Sequence, residues 1–205
     1  MNDSEGLSLD IQKYCALNDE VHSRFLMAPF RVGDLVCATN RHIIICIDDT
    51  KSSAPEIPDG NREKVEEIIS KKENVELVDI PSWTKPDTEE CYVCNGRGFE
   101  LLSICPTCKG IWESGHWCKT CDDGGLVADE NGSKYRCDKC SGSGELTTIE
   151  TDRFVRLLPN CAPIDFQYIE MISALPSVKI GALPERNGIV FSFEGGFGVV
   201  IGGMV

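Results

Sequence analysis

Histidine is scarce in this sequence: only His22, His42 and His116 occur, and they are widely separated. That scarcity removes most hydrolytic frameworks, because no Ser/His/Asp set, no H-E-x-x-H and no H-x-E motif can be assembled around them. Long apolar runs are missing as well. No stretch approaches the roughly 18 to 20 residues that a membrane helix requires. The opening Met1-Asn2-Asp3-Ser4-Glu5-Gly6 lacks the basic start and apolar segment of a secretory leader. A soluble, intracellular, cytoplasmic protein is expected. Positive charge is also in short supply, with 20 Lys and Arg against 33 Asp and Glu and a formal net charge of −13. Such a chain repels phosphate backbones unless its few bases gather on one face, since nucleic-acid affinity comes largely from neutralising phosphates. The glycines near the C-terminus form neither G-x-x-x-x-G-K-[ST] nor G-x-G-x-x-G ahead of a helix, so a phosphate-cradling loop is not indicated.

What the sequence does hold is cysteine. Eight of its twelve fall into four C-x-x-C pairs: Cys91 and Cys94, Cys105 and Cys108, Cys118 and Cys121, Cys137 and Cys140. The gaps between pairs are 10, 9 and 15 residues, which makes this an internal repeat. Two residues between cysteines let one tight turn aim both thiolates at a single ion about 2.3 Å away, and two such turns complete a tetrahedron. In a reducing compartment this clustering points to metal rather than disulfides, and eight thiols suffice for two structural zinc ions per chain. His116 beside Cys118 is read as a loop residue rather than a ligand. A dithiol enzyme is the competing reading of C-x-x-C, but none of the pairs opens an amphipathic helix. The other cysteines, Cys15, Cys37, Cys46 and Cys161, each stand alone among apolar or helical neighbours and are read as small buried hydrophobes.

The acidity lies outside the cysteine segment. Residues 1–90 carry 19 acids and 10 bases and residues 141–205 carry 7 and 4, while residues 91–140 carry 7 and 6, a contribution of only −1. Two zinc ions bound by eight thiolates would add −4 to the total.

The flanks read as α+β. Leu9, Ile11, Tyr14, Cys15 and Leu17 give a helical stripe with Ser8 as N-cap. The apolar runs 25–27, 32–37 and 42–47, broken by Pro29, Gly33-Asp34 and Asn40-Arg41, have the punctuation of an antiparallel meander. Asp59 or Asn61 caps a second helix reaching Lys72, with Val65, Ile68 and Ile69 on one face, and a strand over 75–80 follows. Residues 81–90 read as a linker, as do 144–148. Beyond them, 149–158 suits a strand, and Asp165 caps a helix that turns Phe166, Ile169, Ile172 and Leu175 inward. Residues 178–180 resume strand, and 189–193 with 198–201 form a hairpin through Glu194-Gly195-Gly196-Phe197. Neither flank looks complete alone. The economical model is one discontinuous α+β domain, residues 1–87 and 149–205, of helices on an antiparallel sheet, with a zinc-binding module at 88–148 inserted in a loop.

Cys91 to Gly98 and Cys137 to Gly144 match C-x-x-C-x-G-x-G in full. In the second repeat Ile111-Trp112 follows Gly110, and in the third Asp122-Asp123 precedes Gly124-Gly125. Over about 55 residues the segment resembles the cysteine-rich domain of DnaJ co-chaperones. The resemblance implies an elongated β-hairpin module in which Cys91, Cys94, Cys137 and Cys140 share an outer zinc. Cys105, Cys108, Cys118 and Cys121 would share an inner one, and the module would engage polypeptide. The His-Pro-Asp signature of a J domain and a Gly/Phe-rich linker are absent, so a complete heat-shock co-chaperone is not implied. The flanks bear a shorter resemblance to a bacterial sliding-clamp domain. It rests on residues 34–42, which include Ala38-Thr39-Asn40-Arg41-His42, and on the helix from Tyr168 followed by strands ending at Ile201.

A four-cysteine site has no open coordination position, so its zinc is structural and no enzyme is expected. The leading expectation is an adaptor or chaperone-like module that binds a protein partner. The alternatives are a replication- or phage-associated clamp-like factor acting on nucleic acid, and a thiol-disulfide oxidoreductase. Trp112 and Trp117 near the tip are expected to pack between the zinc knuckles.

Overall fold

The computed structural model describes residues 10–16, 24–49, 52–70, 72, 75–110, 117–122, 124–183 and 188–202. They make two compact units: residues up to 87 and from 147 onward belong to one, and residues 88–146 to the other. The architecture is α+β, with antiparallel sheets and two α-helices among the described residues.

Among the described residues the first element of the first unit is a 3₁₀ turn, Ile11–Tyr14, whose N-cap is Asp10 accepting from the Gln12 amide. Ser8, the cap expected from sequence, lies outside the described residues. A second 3₁₀ turn, Arg24–Met27, stands where the apolar run 25–27 suggested a strand. The meander follows as β1 (Phe30–Val32), β2 (Leu35–Thr39) and β3 (Ile43–Asp48). Helix α1 (Asp59–Ser70) and β4 (Val78–Asp79) come next. The second unit supplies β5 (Thr88–Glu90), β6 (Phe99–Ile104), β7 (Leu126–Ala128), β8 (Ser133–Arg136) and β9 (Glu145–Thr147).

The chain then returns to the first unit. In place of a strand over 149–158 there is a 3₁₀ turn, Glu150–Arg153, leading into the short β10 (Phe154–Val155), which pairs with β11 (Ile164–Asp165). Helix α2 (Phe166–Ser173) precedes β12 (Lys179–Leu183), β13 (Gly188–Phe193) and β14 (Gly196–Ile201). The last two form the expected hairpin, with the turn narrowed to Glu194-Gly195 because Gly196 and Phe197 already pair with Phe193 and Ser192.

Seven of these strands make one antiparallel sheet in the order β1-β2-β3-β14-β13-β12-β4. Successive side chains of a strand point to opposite faces, and here both faces are covered. Ile43 and Ile45 join the cluster that includes Ile169 and Ile172 of α2. Ile44 and Cys46 join the one that includes Val65 of α1. This is why β3 reads as an unbroken apolar run rather than an alternating one. Full burial of Ile169 and Ile172 contributes about 1.5–3 kcal/mol each.

Residues 81–87 are not a free linker. Trp83 packs on the α2-side cluster, and Lys85 Nζ lies 3.1 Å from the Glu170 carboxylate.

Candidate metal centres

The second unit is organised around its cysteines. Each pair forms a tight turn with the same backbone: the residue after the second cysteine adopts positive φ in all four turns, at Asn95 (49°), Lys109 (54°), Asp122 (52°) and Ser141 (52°). Glycine follows at Gly96 (70°), Gly110 (71°) and Gly142 (84°). Gly125, four residues beyond Cys121, has φ 72°, as Gly98 (72°) and Gly144 (80°) have beyond Cys94 and Cys140. The third repeat therefore keeps the last glycine of the pattern in place.

The first and fourth turns pack on each other reciprocally. The Cys91 amide donates to the Gly144 carbonyl at 2.9 Å, and the Cys137 amide donates to the Gly98 carbonyl at 3.0 Å. A Cβ at Gly98 would stand 2.4 Å from the Gly142 carbonyl oxygen, and one at Gly144 would stand 2.3 Å from that of Gly96. Glycine is thus required twice over, by dihedral and by contact. The amides of Gly98 and Gly144 donate to the Cys94 and Cys140 sulfurs, each at 3.3 Å.

Two clusters result. Cys91, Cys94, Cys137 and Cys140 have their sulfurs within 4.8 Å of one another, and so do Cys105, Cys108, Cys118 and Cys121. This is the grouping that the DnaJ resemblance implies. Across the first cluster Cys91 and Cys137 are 3.9 Å apart and Cys94 and Cys140 are 3.7 Å apart. Across the second, Cys105 to Cys118 is 3.8 Å and Cys108 to Cys121 is 3.6 Å. A tetrahedron with metal–sulfur bonds of about 2.3 Å has an edge of about 3.8 Å. Both tetrads therefore have the size of a four-sulfur site and could hold a metal ion. The first is buried throughout; in the second only Cys105 is. The two lie at opposite ends of β6, whose six residues span on the order of 20 Å.

The proton affinities within each cluster are split. Burial raises Cys91, but the amides of Cys94 and Val93 and neighbouring thiols outweigh it and bring it down to about 7. Cys105 falls to about 6, chiefly through the Cys108 amide, and Cys118 falls through that of Thr120. Their partners move the other way: burial pushes up Cys94, Cys108 and Cys137, and takes Cys121 to about 12. Four thiols in contact cannot all ionise without a cation among them, which is the chemistry of a metal-binding donor set.

The surface of this unit carries apolar side chains close to the sites. Tyr92 and Val93, inside the first pair, are 68% and 38% exposed. Ile104, just before Cys105, is 62% exposed, and Trp117, just before Cys118, is 65% exposed. The expectation that Trp117 packs between the knuckles is thus corrected. Trp112 and His116 lie outside the described residues.

The chain matches no family model, and neither a curated protein nor a solved structure shows significant similarity to it.

Elsewhere, Thr39, Arg41 and His42 line a cleft of about 370 Å³ together with α1 and the end of β14. Sequence reasoning missed a closer relation in the same hairpin. Cys37 and Cys46 do not stand alone, since they face each other across β2 and β3 with their sulfurs 2.8 Å apart. The signal was present, because each cysteine stands four residues from the central Arg41-His42 of the turn.

Proposed function

We propose that the second unit is a structural zinc module, holding one zinc in each cysteine tetrad, and that the protein acts without catalysis by presenting this module to a polypeptide partner. The observation that carries the metal assignment is the approach of the pairs within each tetrad, with cross-pair sulfur separations of 3.6 to 3.9 Å and all four sulfurs within 4.8 Å of one another, matched to a four-thiolate zinc site. Four thiolates saturate the ion, leave no place for an activated water, and give it a structural role. What supports a polypeptide partner is exposed apolar surface beside each knuckle pair, Tyr92 at the first tetrad and Ile104 and Trp117 at the second, the two aromatics being of a type enriched where proteins bind one another. The overall charge of −13 disfavours a phosphate backbone as the ligand.

Two measurements test the proposal. Elemental analysis of protein purified without added metal should find two zinc ions per chain, with the eight paired cysteines unreactive until a chelator is added. Substoichiometric metal and ready disulfide formation among the pairs would instead favour thiol-disulfide chemistry. A fluorescently labelled unfolded polypeptide should then bind the zinc-loaded chain. Trp117→Ala and Tyr92→Ala should each weaken binding about tenfold without loss of zinc, in line with buried aromatic anchors. Binding that persists unchanged in both variants would rule out this surface.

A further inference from the structure

Cys37 and Cys46 are directly paired residues of β2 and β3, separated by nine positions in the chain. Both sulfurs are buried, and 2.8 Å separates them. Directly opposed residues of an antiparallel pair have Cα atoms about 4.5 or 5.5 Å apart, and either value lies inside the 4.4–6.8 Å window of a disulfide. The backbone therefore needs no rearrangement to carry the bond. The surroundings are apolar and close-fitting, with Phe30, Val32, Ile44, Ile57 and Val199 in the same cluster. Neither thiol belongs to the metal clusters.

From this geometry we infer that Cys37 and Cys46 are a redox modification site, a dithiol that peroxide converts to a cross-strand disulfide. One sulfur attacks a peroxide oxygen and becomes a sulfenic acid, releasing water. The second thiol then displaces the hydroxyl as a second water and forms the sulfur–sulfur bond, so that two thiols and one hydrogen peroxide give one disulfide and two waters.

Access is controlled by α1. This helix covers the face of the sheet on which the pair lies, with Val65 buried and Ile68 and Ile69 only partly buried against the same cluster. An element with a single fully buried side chain opens locally at a cost below that of global unfolding. Until it opens, burial and the neighbouring thiol keep the Cys46 proton in place well above the usual thiol range. The pair is silent in the closed state and reactive in the opened one.

The test uses the full zinc-loaded chain under mild hydrogen peroxide, with free thiols blocked at intervals and peptides mapped by mass spectrometry. The expected product is a peptide linking Cys37 to Cys46, two hydrogens lighter and restored by dithiothreitol. It should form several times faster in Val65→Ala, and be absent in Cys37→Ala. Should Val65→Ala fold poorly, urea well below the unfolding midpoint replaces it and should produce the same acceleration in the wild-type chain. Recovery of both thiols free after the knuckle cysteines have been oxidised would overturn the inference, as would linkage confined to the denatured chain. A rate unmoved by both Val65→Ala and low urea would overturn the gating by α1.

Discussion

At the scale of single residues, the four knuckles show which constraints are steric and which are only conformational. Gly98 and Gly33 both have positive φ, but a Cβ at Gly98 meets a carbonyl at 2.4 Å, while at Gly33 nothing lies within 4 Å. Gly33→Ala is expected to cost about 1 kcal/mol, the ordinary penalty for left-handed backbone. Gly98→Ala should cost several times more and, on the zinc assignment proposed above, reduce the metal content from two ions to one. Chemical denaturation together with zinc analysis of the two variants checks both. The glycines were legible in the sequence because the repeat carries them openly. The left-handed residue before them was not, since Asn95, Lys109, Asp122 and Ser141 share no side-chain type and only the backbone reveals what they have in common. Tyr14 gives a second expectation at this scale. Burial raises its phenol to about 12 from 10, so the native state holds the proton more tightly than the unfolded chain does. That contribution is complete below pH 10 and is lost as pH rises from about 10 to 12. Phenolate absorbance should show Tyr14 titrating late, by comparison with Tyr14→Phe, together with a falling unfolding midpoint over that interval.

At the scale of elements, α2 was read from sequence with its cap, and the cap does more than the sequence suggests. Asp165 accepts from the Gln167 amide at 3.2 Å and from Arg153 Nε at 2.7 Å. One carboxylate thus starts the helix and anchors the 3₁₀ turn before β10. Asp165→Ala removes a cap worth about 1 kcal/mol and a charge-assisted bond worth about 1.5–3 kcal/mol. A destabilisation of about 2–4 kcal/mol is expected in urea titration, while Asp165→Asn retains the cap and loses less. The meander and final hairpin were also legible, because turn residues and apolar runs are local signals. The elements misread from sequence were the short ones. Residues 25–27 lie in a 3₁₀ turn, and of 149–158 only Phe154 and Val155 pair as strand, with Glu150–Arg153 before them forming another 3₁₀ turn. Trp83 was hidden in a polar, proline-containing stretch, and its packing on the α2 side depends on residues distant in sequence.

At the scale of the whole molecule, the two units hold themselves together by different means. The first has an apolar cluster on each face of its main sheet. In the second, the cluster of buried residues among those described consists of Cys91, Cys94, Cys137 and Cys140, with Leu146 packed against it. On the zinc assignment proposed above, a unit with such an interior folds when the metal binds. Chelation should therefore abolish the structure of the second unit and leave the first intact. Thermal unfolding of the chelated protein should keep the transition of the first unit near its original midpoint, and amide exchange should lose protection only between 88 and 146. Protection lost in β3 or β13 as well would contradict this separation. The backbone at the base of the second unit adds one more consequence. The Thr148 amide donates to the Asp87 carbonyl at 3.0 Å, next to the paired β5 and β9. The chain therefore leaves for the cysteine unit and comes back at adjoining points. A spliced gene that joins these points through a tight turn should encode a shortened, foldable protein, and the excised cassette can be exchanged for another whose ends meet at the same spacing.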